Sequence, residues 1–322
     1  MSRQRALRRP EILPADEDDF ALAVVDGLSR PHKSLPCRFF YDARGSELFE
    51  EITRLPEYYP TRTEAAILEA NAAGIVDGVP DGGVLVEFGS GSSLKTEILL
   101  RQLPRLGAYV SIDVSDSALK DATARLAAHF PTLDVRPITG DFSYPVALPP
   151  DLAGRHKTGF FPGSTIGNLT PAEAGRLLQV FRGVLSPGGR LIVGVDLKKD
   201  ARKLVLAYDD AAGITAAFNL NLLVRINREL GGTFDLDAFQ HEAIYNPREG
   251  RIEMHLESMR DQEVKVVGHR IRFRAGERIH TENSYKYSIS QFQELARSAD
   301  WQPHRVWTDE GNLFSVHELI SL

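Results

Sequence analysis

VLVEFGSGSSLK (residues 84–95) is an apolar run, Val84 to Phe88, that breaks at Gly89-Ser90-Gly91 and passes into a helical stretch. An apolar run of this length bounded by glycine reads as a buried strand, and the glycines let the chain turn tightly out of it. Working outward, β-rich runs recur at AYVSIDV (108–114), LDVRPITGDF (133–142), KTGFFPGST (157–165) and RLIVGVDL (190–197). Helical stretches separate them, among them DSALKDATARLAAHF (116–130) and PAEAGRLLQVFRGVL (171–185). The second has a marked start, with Thr170 as N-cap, Pro171 at N1 and Glu173 at N3, and a stop at SPGG (186–189). Apolar strands alternating with amphipathic helices predict an α/β unit: a parallel sheet covered on both faces.

The pattern changes after residue 199. Helices are expected at 201–212 and 215–230, then the β-like runs FQHEAIYN, GRIEMHLESM, QEVKVVG and HRIRF, with NPREG (246–250) as a hairpin turn. SISQFQELARSA (288–299) returns to helix, and WQPHRVWTDE and LFSVHELIS supply two last strands. The expected division is residues 63–199 with 287–322 as the α/β core, and residues 1–62 with 200–286 as a second, α+β domain. The basic opening, MSRQRALRRP, reads as a solvated, mobile terminus.

Composition narrows the function classes. The chain has 322 residues, 25% charged and 43% hydrophobic, with a net charge of −6, so it is globular and carries no general basic face for nucleic acid. Its one cysteine, Cys37, makes no intramolecular disulfide, and the cytoplasm is the expected compartment. The nine histidines show no metal-ligand spacing, and no stretch is long and apolar enough to cross a membrane. Neither metal, membrane nor nucleic acid is expected as a partner.

The glycine loop lacks the third glycine of the dinucleotide fingerprint, since position 94 is Leu, which opposes a nicotinamide oxidoreductase. Asp113 ends the next strand, where a carboxylate suits the two hydroxyls of a ribose. Asp141-Phe142 ends the one after, with Asp141 suited to an adenine amino group and Phe142 to the ring face. Each piece alone also reads as a turn glycine, an N-cap aspartate or a core phenylalanine. Together, at three successive strand ends, they are similar to class I S-adenosylmethionine-dependent methyltransferases, whose sheet is Rossmann-like. Lys95 either meets the methionine carboxylate or is a solvated helix lysine.

HKSLPCRFFYDARGSELFEEITRLPEYYPTRTEAAIL (32–68), GSTIGNLTP (163–171), AYDDAAGITAAFN (207–219), RIEMHLES (251–258) and TENSYKYS (281–288) complete a constellation. It resembles the histidine Nα-methyltransferases of the ergothioneine pathway over nearly the whole chain. The resemblance implies a class I core with a second substrate domain, S-adenosyl-L-methionine as cofactor with S-adenosyl-L-homocysteine as its product, and L-histidine as substrate, trimethylated to hercynine by what is expected to be a monomer. It assigns Tyr58 and Asn168 to the α-amino end and carboxylate region, Tyr41 to the amino group through water as the catalytic contact, and Tyr208 to the carboxylate. It gives the imidazole to Glu282 and Ser284 with Met254 packing on it, and the cofactor to Gly89, Lys95, Asp113, Asp141 and Phe142. The flanks EFGSGSS and NSYKY depart from the family pattern.

Local physics fits these roles. In a strand through TENSYK, Glu282 and Ser284 share a face; in RIEMHLES, Met254 shares one with Ile252 and Leu256. Tyr208 is expected on a helix face one turn from Leu204, where it also reads as a core tyrosine. A carboxylate in an apolar pocket needs a donor, which an imidazole N–H supplies. The alternatives are a methyltransferase for another amino acid such as tryptophan, and a binding protein that has lost turnover.

Overall fold

The computed structural model describes residues 17–91, 93–185 and 187–322. The expected mobile terminus and the serines at 92 and 186 lie outside the described residues.

The first part of the chain folds as α1 (Glu17–Ser29), β1 (Lys33–Ser34), a 3₁₀ turn at Cys37–Phe40, α2 (Ala43–Thr53) and α3 (Tyr59–Val76). The alternating unit follows as β2 (Val84–Phe88), α4 (Leu94–Leu100), β3 (Ala108–Asp113), α5 (Asp116–His129), β4 (Val135–Thr139), β5 (Lys157–Phe161), α6 (Pro171–Leu185) and β6 (Arg190–Asp196). Next come α7 (Ala201–Leu206), α8 (Ile214–Leu230), β7 (Phe239–Asn246), β8 (Arg251–Ser258), β9 (Gln262–Val266), β10 (His269–Phe273) and β11 (Arg278–Tyr285). The chain ends in α9 (Ile289–Ser298), β12 (Trp301–Thr308) and β13 (Phe314–Ser321).

Seven strands form one sheet in the order β12-β13-β6-β5-β2-β3-β4. The five from β2 to β6 pair in parallel, as the alternating pattern predicts, while β13 and β12 add an antiparallel margin. Every residue of β2 and β5 is buried, including Glu87, Lys157 and Thr158. The order reverses between β2's two neighbours, β3 and β5, so a crevice opens at the carboxyl ends of β2 and β5, where parallel sheets bind ligands. The predicted capping box starts α6: Thr170 N–H donates to Glu173 at 2.9 Å, and Glu173 N–H to Thr170 Oγ1 at 3.3 Å.

A second sheet, β1-β11-β8-β7, takes the runs FQHEAIYN and GRIEMHLESM, joined by the NPREG turn, with β1 in parallel with β11, while QEVKVVG and HRIRF pair only with each other as the antiparallel β9-β10 hairpin. Apolar side chains from residues 20–59 cluster with those from 204–279; Phe40 stacks on Phe218 at 4.6 Å. Helix α3 crosses the expected 62/63 boundary: Tyr59 packs in that cluster, while Ile67, Leu68 and Ile75 pack under the seven-stranded sheet.

One helix is shorter than the sequence suggests. The expected 201–212 helix ends at Leu206, because Asp210 turns to cap α8, accepting from Ile214 N at 3.0 Å and Thr215 N at 2.7 Å, and Gly213 takes a φ of +73°. Tyr208 therefore lies past the helix end, not on its face.

Gly194 in β6 leaves the space that Glu64 fills: a Cβ there would sit 1.9 Å from Glu64 Oε1. Gly194→Ala is expected to lower stability by about 1–3 kcal/mol through overpacking. Gly175→Ala in α6, where a Cβ meets only Leu295 Cδ1 at 3.7 Å, is expected to raise it by about 0.5–1 kcal/mol. Urea denaturation of the two variants checks both signs.

Candidate active site

At the crevice, Gly89 follows β2 with a φ of +70° and Gly91 with +47°, conformations that suit glycine. A Cβ at Gly89 would lie 3.0 Å from the Phe142 ring, so the bare glycine leaves room for that ring beneath the turn. Asp113 ties the loop down. Its Oδ2 accepts from Gly91 N and its Oδ1 from Ser115 N, both at 2.9 Å. Each oxygen keeps a lone pair, which is what two neighbouring hydroxyls require. Asp141 accepts from Ser143 N at 2.8 Å, fixing the turn that carries Phe142. Leu94, Val114 and Tyr144 stand exposed on the loops and helix start at this edge, and the Ser90 hydroxyl is buried without a partner among the described residues. A glycine cradle, two strand-end carboxylates and an aromatic face fit an adenosyl group.

Glu87 of β2 is fully buried and takes the Tyr109 hydroxyl, with burial pushing its carboxyl up to about 7. It braces the loop from below. Lys95 matches neither sequence reading outright: its ammonium is ion-paired to the fully buried Glu64 of α3. Glu64 also accepts from Gly163 N, at 2.8 and 3.0 Å, so one carboxylate joins Lys95 to the loop after β5.

The seven substrate-side candidates gather around β11. Its register shifts between His280 and Glu282, a bulge held by Thr281 Oγ1 donating to Met254 O at 3.0 Å and His280 Nε2 to Glu282 O at 2.9 Å. The bulge brings Glu282 directly opposite Met254 and Ser284 opposite Ile252. Tyr58, just before α3, meets Tyr208 edge-on at 6.2 Å, and Phe49 bridges Tyr58 (6.2 Å) to Tyr41 (5.6 Å). Asn168 ends a 3₁₀ turn, Thr165–Asn168, that packs on β11; a Cβ at Gly167 would lie 2.8 Å from Tyr285 O.

These groups lie close enough to feel one another's charge. Burial raises the phenols of Tyr41, Tyr58 and Tyr208 well above their usual range, and the Glu282 charge pushes each further. Tyr41 is nonetheless 39% exposed, and a side chain both enclosed and reachable lines a cleft. Burial pushes the Glu282 carboxyl up to about 7, against the pull of Lys286. No hydrogen-bond or ion-pair partner for that carboxylate occurs among the described residues.

Sequence reasoning missed Lys286, fully buried one residue past the end of β11. Its ammonium donates to Ser284 Oγ at 2.8 Å and Tyr208 Oη at 3.0 Å, and pairs with Asp196 at 2.7 Å. Ser284 Oγ and Tyr208 Oη are 2.7 Å apart, so the residue expected at the imidazole and the one expected at the carboxylate are directly bonded. The signal lay in ENSYK, where Glu282, Ser284 and Lys286 occupy alternate positions.

The family described as histidine-specific methyltransferase, SAM-dependent, matches residues 20–321. A histidine N-alpha-methyltransferase of Mycolicibacterium smegmatis is 45% identical over 299 residues, 91% of this chain and 92% of that one. One from Mycobacterium tuberculosis is 43% identical over 298 residues, with the same coverage. Ergothioneine biosynthesis protein 1 of Neurospora crassa is 31% identical over 295 residues, 89% of this chain and 33% of its own length. An S-adenosylmethionine-dependent methyltransferase structure from Clostridium acetobutylicum superposes with a TM-score of 0.50 at 11% identity, covering 85% of this chain and 98% of that one, a likeness of fold alone.

The Glu282 carboxyl has a folded-state value of about 7 against an ordinary 4.5, so ionising it costs stability. That cost is absent below the ordinary value, grows as pH rises to about 7 and is constant above. Glu282→Gln removes it. The melting temperature of this variant is expected to match the parent's in acid, to rise above it through that window and to hold a fixed lead beyond. A lead that shrinks with rising pH would show that a cation stabilises the carboxylate.

Proposed function

The chain belongs to the histidine-specific, S-adenosylmethionine-dependent methyltransferases, and from that premise we propose how its residues divide the work. The reaction is methylation of the α-amino group of L-histidine in ergothioneine biosynthesis, carried to the trimethylated product hercynine with release of S-adenosyl-L-homocysteine. The observation that carries the substrate reading is Glu282: a carboxylate enclosed by tyrosines, opposite Met254, with no protein donor of its own. An imidazole N–H supplies the donor and a flat face for the methionine. An indole uses the pocket less well, which disfavours tryptophan as the substrate.

Gly89, Lys95, Asp113, Asp141 and Phe142 would hold S-adenosylmethionine, which when bound supplies a methyl group on a cationic sulfur. Tyr58 and Asn168 hold the amino end of histidine, and Tyr208 its carboxylate. Placement is the main contribution, since an amine needs to be neutral and in line to attack. Tyr41 carries the departing proton toward water. Its phenol is held so high that it rests protonated at neutral pH, so it relays a proton at Oη and is not itself a standing base. Its 39% exposure gives water access to that oxygen. The faces of Tyr41 and Tyr58 suit the quaternary ammonium that accumulates. The division into a core of residues 63–199 with 287–322 and a substrate domain of residues 1–62 with 200–286 is part of the same proposal. It is supported by the apolar cluster that residues 20–59 share with residues 204–279.

Mass spectrometry of the enzyme with S-adenosylmethionine and the twenty amino acids is expected to show three added methyl groups on histidine alone; gain on another amino acid, or none, overturns the reading. Glu282→Ala is expected to lose about 100-fold or more in kcat/KM for histidine, because the imidazole loses its buried partner. Tyr41→Phe is expected to slow kcat more than it weakens histidine binding, compared by steady-state kinetics and calorimetry. Equal losses in both would remove Tyr41 from the proton path.

A further inference from the structure

The residue roles proposed above leave Lys286 without a task, yet it is among the most constrained groups in the molecule. It lies at the carboxyl end of β11, with its side chain wholly shielded from solvent. An ammonium has three hydrogens, and each has an acceptor: Asp196 Oδ2 at 2.7 Å, Ser284 Oγ at 2.8 Å and Tyr208 Oη at 3.0 Å. It also sits 4.8 Å from the centre of the Tyr208 ring. Behind it, Asp196 pairs with Lys199 as well and accepts from Tyr59 Oη at 2.8 Å. One buried carboxylate thus faces two ammonium groups. The cluster carries an excess positive charge, and Glu282, the other acid on this face, makes no bond to it.

Counting hydrogens on the two hydroxyls gives the consequence. Ser284 and Tyr208 own one hydrogen each and are bonded to one another at 2.7 Å, which uses one of the two. Lys286 donates to both oxygens, so neither hydroxyl needs to look for another donor. One hydroxyl hydrogen is left with no acceptor among the described residues, so it is open to an acceptor from a ligand or from water. When Ser284 donates to Tyr208, that hydrogen sits on Tyr208, and the excess positive charge lies directly behind it.

The geometry points to Lys286 as a positioning residue for substrate recognition: it polarises the Ser284–Tyr208 hydroxyl pair so that Tyr208 presents its single free hydrogen to the α-carboxylate of the substrate. Lys286 does not touch the substrate. It acts through Tyr208, and it makes the enzyme select an amino acid over the corresponding amine or amide. This rests on the reading of histidine as substrate.

The test is calorimetric binding of histidine and of histidinamide, which lacks the carboxylate, to the full chain with S-adenosylhomocysteine present. The parent is expected to prefer histidine. Lys286→Met is expected to reduce that preference about tenfold or more. Tyr208→Phe is expected to do the same, and the double variant to lose little beyond either single one, because both remove one relay. A role confined to packing would weaken both ligands alike and add to the effect of Tyr208→Phe. The inference is overturned if Lys286→Met keeps the parental ratio or if the two losses add. Should Lys286→Met not fold, Lys286→Gln, whose amide keeps two N–H donors without the charge, carries the same comparison. A parent that binds neither ligand defeats the histidine reading; a parent that discriminates while the variants discriminate equally defeats only the relay.

Discussion

The buried carboxylate of Asp196 is the constraint on which the site depends. It ends β6, wholly shielded, and four separate parts of the chain converge on that strand end. Tyr59 from the start of α3 donates to both its oxygens at 2.8 Å, Lys199 from the segment after β6 and Lys286 from just past β11 pair with it, and its backbone N–H donates to Ser164 Oγ at 2.9 Å. Burial alone would raise this carboxyl; the two lysines bring it below its usual value. Taking such charges from water is costly, and a buried cluster of this kind is poor evidence of added stability. What it supplies is registration. Removing one partner strands the others, so the start of α3, the loop after β5 and the end of β11 have one mutual arrangement with every group satisfied.

That arrangement decides where the chemistry is placed. Tyr58 is adjacent to Tyr59, Asn168 closes the 3₁₀ turn that begins just after Ser164, and Ser284 and Glu282 lie two and four residues before Lys286. Tyr58, Asn168, Glu282 and Ser284 are therefore each within a few residues of an atom bonded to Asp196, while Tyr208 reaches the cluster through its hydrogen bond with Lys286. On the cofactor side Glu64 has the matching function, joining Lys95 to Gly163 N one helical turn beyond Tyr59. Tyr59, which bonds Asp196, and Glu64 both belong to α3, so one helix braces both anchors. A methyl transfer that depends on placement needs this kind of support behind the residues that touch the reactants.

Much of this was legible in the sequence, and the limits have a physical pattern. The glycine turn, the Thr170–Glu173 cap and the alternation in TENSYK are local, set by a few neighbouring residues, and all appear where the residues put them. The pairing of Glu282 with Met254 depends on a one-residue bulge, which alternation within each strand cannot disclose. The early end of α7 turns on whether Asp210 caps the next helix or continues the previous one, a choice that propensity leaves nearly balanced. Lys95 and Lys286 were opaque for a different reason. Their partners, Glu64 and Asp196, are far away in sequence, and a lone lysine or aspartate carries no mark of the charge it will meet.

On the proposed residue roles, selectivity follows from an unmet requirement. Most of the buried charges here are matched within the chain: Asp196 by two lysines, Glu64 by Lys95 and a backbone N–H, Glu253 by Arg251 and Asn246. Glu282 is the exception in having no donor among the described residues, and burial raises its carboxyl to about 7. On that reading the cost in stability is part of the function. A ligand with an N–H at the right position recovers that cost on binding, while one with a merely apolar ring adds its own desolvation to a carboxylate still without a partner. Discrimination of this kind exceeds what shape alone gives, because the wrong ligand does not simply bind less; it leaves a buried charge unanswered.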